Sequence, residues 1–520
     1  MKYADIEDIK DAKERSRLTK FEIVFLILAA TVTITFCSTC SPLYPFNPWD
    51  DANCFFTVGR GIIKGLVPYR DLYEQKGPLL YFIYAFAALI SDRSFIGAWI
   101  VECVMASIFA VFSWKIAKLF TNPPRYSICL VPLLLGMTYT IRLFNFGGNA
   151  EELCFPLLTI AFYFGLRAIV DGVDIPGNKE AFICGLISAA LFWVKYTFLG
   201  FMAGFILYIL LSKRRWNYKR LWSLVWRFIA GFIALSVPIL LYFLANGALG
   251  SLWEAYFYNN IFLYHSKVPL EGILNYPVIR NIYIPLYCVI TMSKSYPEFG
   301  VMLVLTIVSF FFIGKRYYKK AGFLFFDTFF MTLTFTFTKT SFIYYYIYIV
   351  ACFFGLILIP FIKGLEYLAK KTKQSSSLIK VLVCVCLIVF YSMTLLLGKN
   401  TYLFMQSKDQ LAQFRYAETI GQTPNAKILT YDVMDSGFYT AAGLLPQNRF
   451  FCFLNIESAY PAVLEEQDRL IKEGYFDYIV TSGFCDKNWE NYELVRDETA
   501  TYVGYDGIKA LEEYRLYKRK

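Results

Sequence analysis

Two adjacent aspartates, Asp50 and Asp51, open the densest stretch of chemistry in this 520-residue chain. Arg60, Arg70, Asp71, Glu74 and a Lys76-Gly77-Pro78 element follow within thirty residues. The stretch sets four carboxylates among cations directly after the first membrane-length apolar run. Charge of that density beside a bilayer is costly unless it is solvated or does chemistry. A carboxylate where water meets lipid can take a proton from an attacking hydroxyl. A lysine at the same depth, Lys76, can neutralise a lipid phosphate, or it can be a snorkelling anchor. The combination suits an enzyme that takes its substrate from the membrane.

Each residue also has a plainer reading. A helix is expected from Asp51 to about Lys64, with Phe55, Phe56, Val58, Ile62 and Ile63 on an apolar side lying along the membrane surface. Aspartates at its start would cap it; one can cap while its neighbour acts as base. Arg70 and Asp71 read as a structural ion pair, and Arg60 as a further cation of the loop. Arg142 and Asn149-Ala150-Glu151-Glu152 lie at the next outer turn, where Glu151 is either a helix cap or a second acid. Glu102, Lys195 at a hairpin tip and Asp327 are charges at membrane depth, which are by default functional or paired. His265 is the only histidine, so it cannot build a multi-histidine metal site, but it could touch a phosphate or sugar. Lys339, followed by Tyr344, Tyr345 and Tyr346, forms a cation ringed by tyrosines at an outer mouth, or an interfacial anchor. Cys37 and Cys40 form a lone C-x-x-C with no partner pair, which favours packing over metal or redox chemistry.

The elements that hold these residues are membrane helices. The chain is 57% hydrophobic and 18% charged, with a mean hydropathy of +0.46, against about 25% charged in soluble domains. About eleven spans are expected, near 22–41, 94–114, 126–141, 151–167, 180–194, 196–212, 223–245, 296–314, 322–338, 341–362 and 378–398. Residues 79–91 are apolar but too short, and are expected as a re-entrant or interfacial helix. With the N-terminus inside, 26 of the 51 Lys and Arg fall on inner segments, 11 on outer segments and 14 in the C-terminal tail. That is a strong positive-inside bias. The net charge of +11 is therefore a topology signal, and a nucleic-acid partner is excluded.

This orientation places loops 42–93 and 246–295 and everything after about 399 outside. Residues 1–398 then form a membrane domain and 399–520 a small extracytoplasmic domain, in a multi-pass protein of the bacterial plasma membrane. In the tail, strands are expected at Lys427–Tyr431, Arg449–Phe453 and Tyr475–Thr481, with helices at Ser436–Gly443 and Ala459–Glu473. Alternation of that kind implies a small α/β layer with a parallel sheet. No glycine-rich phosphate loop opens its helices, so it is expected to cover the membrane site or hold an acceptor.

On these residues the sequence resembles the GT-C superfamily of membrane glycosyltransferases, in particular the bacterial protein-mannosyltransferase-like, ArnT-like (glycosyltransferase family 39-like) branch. The likeness rests on Asp50-Asp51 after the first helix and a glycine-containing run to Gly65. It extends to Lys76-Gly77-Pro78 in place of the family's Lys-Pro-Pro, the Lys339 tyrosine cluster, and the trailing outer domain. The resemblance implies a GT-C-like α-helical bundle and a sugar donor carried on a polyprenyl phosphate. It implies Asp51 as base with Asp50 as the alternative, Glu151 as a secondary acid, and Lys76 and Lys339 as phosphate contacts. Arg60 joins these as a candidate phosphate contact, and His265 and Tyr345 as candidate substrate contacts. A single displacement with inversion at the anomeric carbon follows, with a cell-envelope glycan, lipid or protein as acceptor. Members differ in using a divalent metal; none is expected to be tightly bound here. Two rivals stand beside the transferase: a lipid-linked sugar flippase or transporter, and a polysaccharide polymerase or ligase. The chain shows no internal repeat, and its acids concentrate in an outer loop rather than at the midplane, which favours the enzyme over a transporter.

Overall fold

The computed structural model describes residues 12–140, 144–171, 177–211, 218–263, 297–313, 348–371, 377–454, 459–483, 489–503 and 509–520, with isolated positions between them. After a short α1 (Ala12–Arg15), α2 (Lys20–Cys37) opens on a capping box in which Thr19 and Glu22 satisfy each other's backbone N–H groups. The helices that follow are α3 (Asp50–Ile63), α4 (Pro78–Ile90), α5 (Ile96–Phe120), α6 (Leu130–Tyr139) and α7 (Ala150–Val170). Next come α8 (Asn178–Lys195), a 3-10 turn at Tyr196–Leu199, α9 (Gly200–Leu211) and α10 (Tyr218–Ala245). Glu22 also accepts from Trp114 Nε1 (2.9 Å) and Lys118 Nζ (3.0 Å), tying the start of α2 to the end of α5.

Five stretches among the described residues are long and apolar enough to cross a membrane: Lys20–Cys37, Ile96–Phe120, Ala150–Val170, Asn178–Tyr208 and Tyr218–Ala245. Further apolar helices occupy Pro297–Ile313, Tyr348–Lys371 and Ser377–Leu396. The expected span at 322–338 falls almost wholly outside the described residues, as does the start of 341–362. α7 is the axis of the bundle, with all but Leu157, Ile160 and Arg167 buried. α10 instead leaves Trp226, Leu240, Leu241 and Leu244 exposed, a face that only lipid would cover at no cost. α8 and α10 touch backbone to backbone, because Gly185 meets the Phe228 carbonyl and Gly231 the Phe182 carbonyl.

Helix α3 begins and ends near the expected positions, but protein encloses it on both faces, so it has no free apolar side to lay on a membrane. Asn53, Thr57 and Arg60 on its polar side are as buried as Phe55 and Phe56 on its apolar side. It is enclosed between α4, whose backbone approaches Gly59, and the C-terminal domain. Its amphipathic pattern marks two different buried faces rather than one face in water.

The C-terminal domain has β1 (Ile428–Tyr431) parallel to β2 (Tyr478–Ser482), with helices Phe438–Ala442 and Ala462–Lys472 near the expected positions. Two differences stand out. Arg449–Phe453 is not a strand, because its carbonyls are taken by other groups. Tyr73 N–H binds Arg449, Gln467 binds Phe450, and Thr430 and Tyr439 bind Phe451. The sheet is mixed rather than parallel. A long hairpin of β3 (Tyr492–Val503) and β4 (Lys509–Arg519) adds antiparallel to β2, giving the order β1-β2-β4-β3. β1 and β2 are continuous buried runs that read as strands, whereas charged residues interspersed along β3 and β4 hide theirs.

Candidate functional site

α3 starts where Asn47 and Asn53 fix the chain. Asn47 Oδ1 accepts from Trp49 N (2.8 Å), and Asn53 Nδ2 donates to the carbonyls of Asn47 and Trp49 (2.9 Å each). The cap residue is Trp49, whose side chain makes no capping bond, so Asp50 and Asp51 fill the first turn instead of capping it. The partial positive charge of the helix start favours both carboxylates there. Their partners differ. Asp50 accepts from Ser436 Oγ of the C-terminal domain at 2.8 Å. Asp51 faces inward and stands 4.0 Å from Lys76 Nζ.

The Lys76 backbone is held on every side. Its N–H donates to the buried Glu74 carboxylate (2.8 Å) and its carbonyl accepts from Tyr69 Oη (2.6 Å). Asn260 Nδ2 holds the carbonyl of Gln75 (2.7 Å) from an unusual π-helix at Trp253–Leu263. Gly77 N–H donates to the Val194 carbonyl (3.1 Å), pressing this element against the end of α8. A Cβ on Gly77 would lie 2.0 Å from the Trp193 oxygen, so only glycine permits the approach. That geometry is the physical reason for glycine in the middle of the Lys-Gly-Pro element. The lysine Nζ lies 5.6 Å from the centroid of the Phe55 ring.

Lys195 ends α8 in extended conformation (φ −158°, ψ 97°), which breaks the helix and aims the side chain into the same region. It bonds to Glu151 in the first turn of α7, and both are almost fully buried. Lys76 and Asp51 also act electrostatically on the Lys195 ammonium. The structure thus brings Asp51, Lys76, Lys195 and Glu151 into one cluster of alternating charge, contributed by α3, the loop before α4, α8 and α7.

The neighbouring acid Glu152 does the capping, accepting from Asn149 N (3.2 Å). It pairs with Glu102, which takes Ser38 Oγ (2.7 Å) and Gly148 N (2.6 Å). The partner of the membrane-depth acid Glu102 is therefore a second acid. Arg60 is not part of the Asp51 cluster. It follows Asp51 by nine residues, about half a turn out of phase on a helix. It is buried toward Asp435, Asp92 and Arg93, and burial pushes its pKa down to about 10. Arg70 and Asp71 pair at 2.8 Å on the surface, as expected of a structural pair. Cys37 and Cys40 are packed in the core. His265, Lys339 and Tyr345, with Arg142 and Asp327, lie outside the described residues.

In the sequence Lys195 reads as a charge at membrane depth and stands outside the candidate site residues. Ser436 and Asp435, which belong to the far end of the chain, stand outside them as well. For Lys195 the available signal is a cation at membrane depth; for the other two there is none. Among the described residues no group of three or more His, Cys, Asp or Glu side chains is arranged to hold a metal ion.

No protein-family model matches the chain, and no curated protein matches it. Solved structures do. ArnT from Cupriavidus metallidurans in the apo state superposes with a TM-score of 0.55 at 11% identity, covering 95% of this chain and 97% of that one. The same protein bound to undecaprenyl phosphate gives 0.54 at 11% identity, covering 96% and 98%. The fold is therefore ArnT-like over nearly the whole chain, with helices long and apolar enough to cross a membrane and a four-stranded sheet near the C-terminus.

Proposed function

We propose that the chain is an inverting glycosyltransferase that moves a sugar from a polyprenyl-phosphate-linked donor to a cell-envelope acceptor on the outer face of the membrane. The observation that carries this reading is the Asp51 carboxylate set 4.0 Å from Lys76 Nζ on a rigidly held element. At that separation the contact between Lys76 and Asp51 is a loose ion pair. The fold shared with a protein solved with undecaprenyl phosphate supports a lipid phosphate as the group that enters.

In the proposed step the acceptor hydroxyl oxygen bonds to the anomeric carbon as the bond from that carbon to the phosphate oxygen breaks. The hydroxyl proton passes to Asp51, and the electron pair leaves on polyprenyl phosphate, whose charge rises from about −1 to about −2. Lys76 stabilises that developing charge, with Lys195 behind it. Glu151 holds Lys195 in place and balances its charge while the site is empty. We assign Asp51 rather than Asp50 as base because Asp50 is engaged by Ser436. Lys339, His265 and Tyr345 stay candidates for donor and acceptor contacts, and no tightly bound metal is needed for the step as written.

The test is sugar transfer by purified protein in liposomes containing polyprenyl-phosphate sugars, read by mass spectrometry of envelope acceptors. Asp51→Asn should lower transfer by about 10²–10⁴-fold at unchanged expression, the range of a lost general base. Asp50→Asn should keep most of it. The reverse pattern would move the base one residue, and full activity in both would remove this loop from the mechanism. Donor crossing the bilayer without any transfer would support a flippase instead.

A further inference from the structure

Two thiols meet where the C-terminal domain sits on α3. Cys54 lies one turn after Asp50, and Cys452 lies in the Arg449–Phe453 segment, whose first residue accepts from Tyr73 N–H at its carbonyl. Their Sγ atoms are 3.8 Å apart across 398 residues of sequence, and both side chains are fully buried. That is non-bonded contact between two sulfurs that face each other, against about 2.05 Å in a disulfide. A second pair, Cys129 and Cys384, stands 3.9 Å apart near the start of α6 and of helix Ser377–Leu396. α6 separates that pair from the outer loop, since the chain beyond its far end reaches Thr39 through the Phe146 carbonyl. One pair therefore lies at each side of the bundle, where redox conditions differ.

We infer that Cys54 and Cys452 are joined as a disulfide that seams the proposed catalytic helix to the C-terminal domain, while Cys129 and Cys384 stay thiols. The inference rests on the outward orientation in the proposed function. The oxidant is a disulfide-exchange partner, either a protein or a small-molecule disulfide. One thiolate attacks it to give a mixed disulfide, and the second thiolate displaces the carrier. Two protons and two electrons leave the cysteine pair, and the oxidant departs as two thiols. Exchange precedes docking, because burial afterwards closes access and pushes both thiols up, away from the reactive thiolate. The bond would close a loop of nearly four hundred residues, the regime in which a cross-link most restricts the undocked chain.

The test uses full-length protein from native membranes, with free thiols blocked by N-ethylmaleimide at lysis, then digested without reductant. The expected result is a peptide containing Cys54 joined to one containing Cys452, released by dithiothreitol, with Cys129 and Cys384 both blocked. In parallel, an amine reagent that cannot cross membranes is added to intact cells and should label the exposed Lys408, Lys472 and Lys520. Blocked thiols at both Cys54 and Cys452 in a domain labelled from outside overturn the disulfide and leave the transferase reading intact. Absence of outside labelling overturns the orientation, and the disulfide with it.

Discussion

Lys195 and Glu151 come from helices α8 and α7 and bury opposite charges against each other within a cluster that already holds Asp51 and Lys76. A buried pair contributes little net stability while intact, yet removing one partner strands the other at a cost of about 3–5 kcal/mol. Lys195→Met alone should therefore lower the denaturation midpoint markedly in detergent. The double change Glu151→Gln with Lys195→Met should restore most of that loss, because both charges leave together. If Lys195 supports the departing phosphate, the double variant should still transfer sugar about 10²-fold more slowly, the scale of one lost electrostatic contact. A double variant as unstable as the single one would show that the pair is not coupled. A stable double variant with full activity would confine Lys195 to structure.

At the scale of elements, the site depends on how closely the Lys76 loop can approach α8. Gly77 allows that approach, and its N–H bond to Val194 is the only direct backbone bond from this element to α8 among the described residues. Gly77→Ala should force the two apart, costing about 1–3 kcal/mol of overpacking strain and displacing Lys76 from Asp51. Gly250→Ala, in the helical turn Leu249–Leu252 where nothing lies within 4 Å, should leave transfer unchanged and not lower stability. Calorimetry and transfer rates on both variants would decide, and a neutral Gly77→Ala would remove the constraint. The Asp50-Asp51 pair, the helix after it and the Lys-Gly-Pro element were legible in the sequence because each is encoded by neighbours within a few residues. The reason for Gly77, the partner of Lys195 and the burial of α3 were not, because each depends on a segment distant in sequence. Arg449–Phe453 shows the same limit: its β-prone residues promise a strand, but its carbonyls bond to Tyr73, Thr430, Tyr439 and Gln467 instead of to a neighbouring strand. The β3–β4 hairpin shows a different one, since its charged, twelve- and eleven-residue strands carry little apolar periodicity.

Across the whole molecule, the C-terminal domain is not a detached appendage but the cover of α3. Ser436 reaches Asp50, Arg449 pairs with Glu254 at 2.9 Å and donates to the Tyr69 carbonyl, and Asp435 inserts beside Thr57 at 2.5 Å. Asp435 is fully buried in that seam, and burial pushes its pKa up to about 6, against the opposing pull of Thr57, Gly437 N–H and Arg60. An acid whose pKa is raised by docking binds its proton more tightly when docked than when free. Its contribution to docking is thus complete below about pH 4, its ordinary range, and is lost as pH rises through about 6. The change is worth at most about 3 kcal/mol, enough to alter local opening by two orders of magnitude. Hydrogen exchange at α3 and at Ser436–Ala442 should accordingly be slower at pH 5 than at pH 7.5, after correction for intrinsic rates. Asp435→Asn, which keeps the shape and removes the titration, should flatten the difference and hold the seam closed at the higher pH. Equal protection at both values in the unaltered protein would mean that Asp435 does not control the seam, and that the cover over Asp50 and Asp51 is set by packing alone.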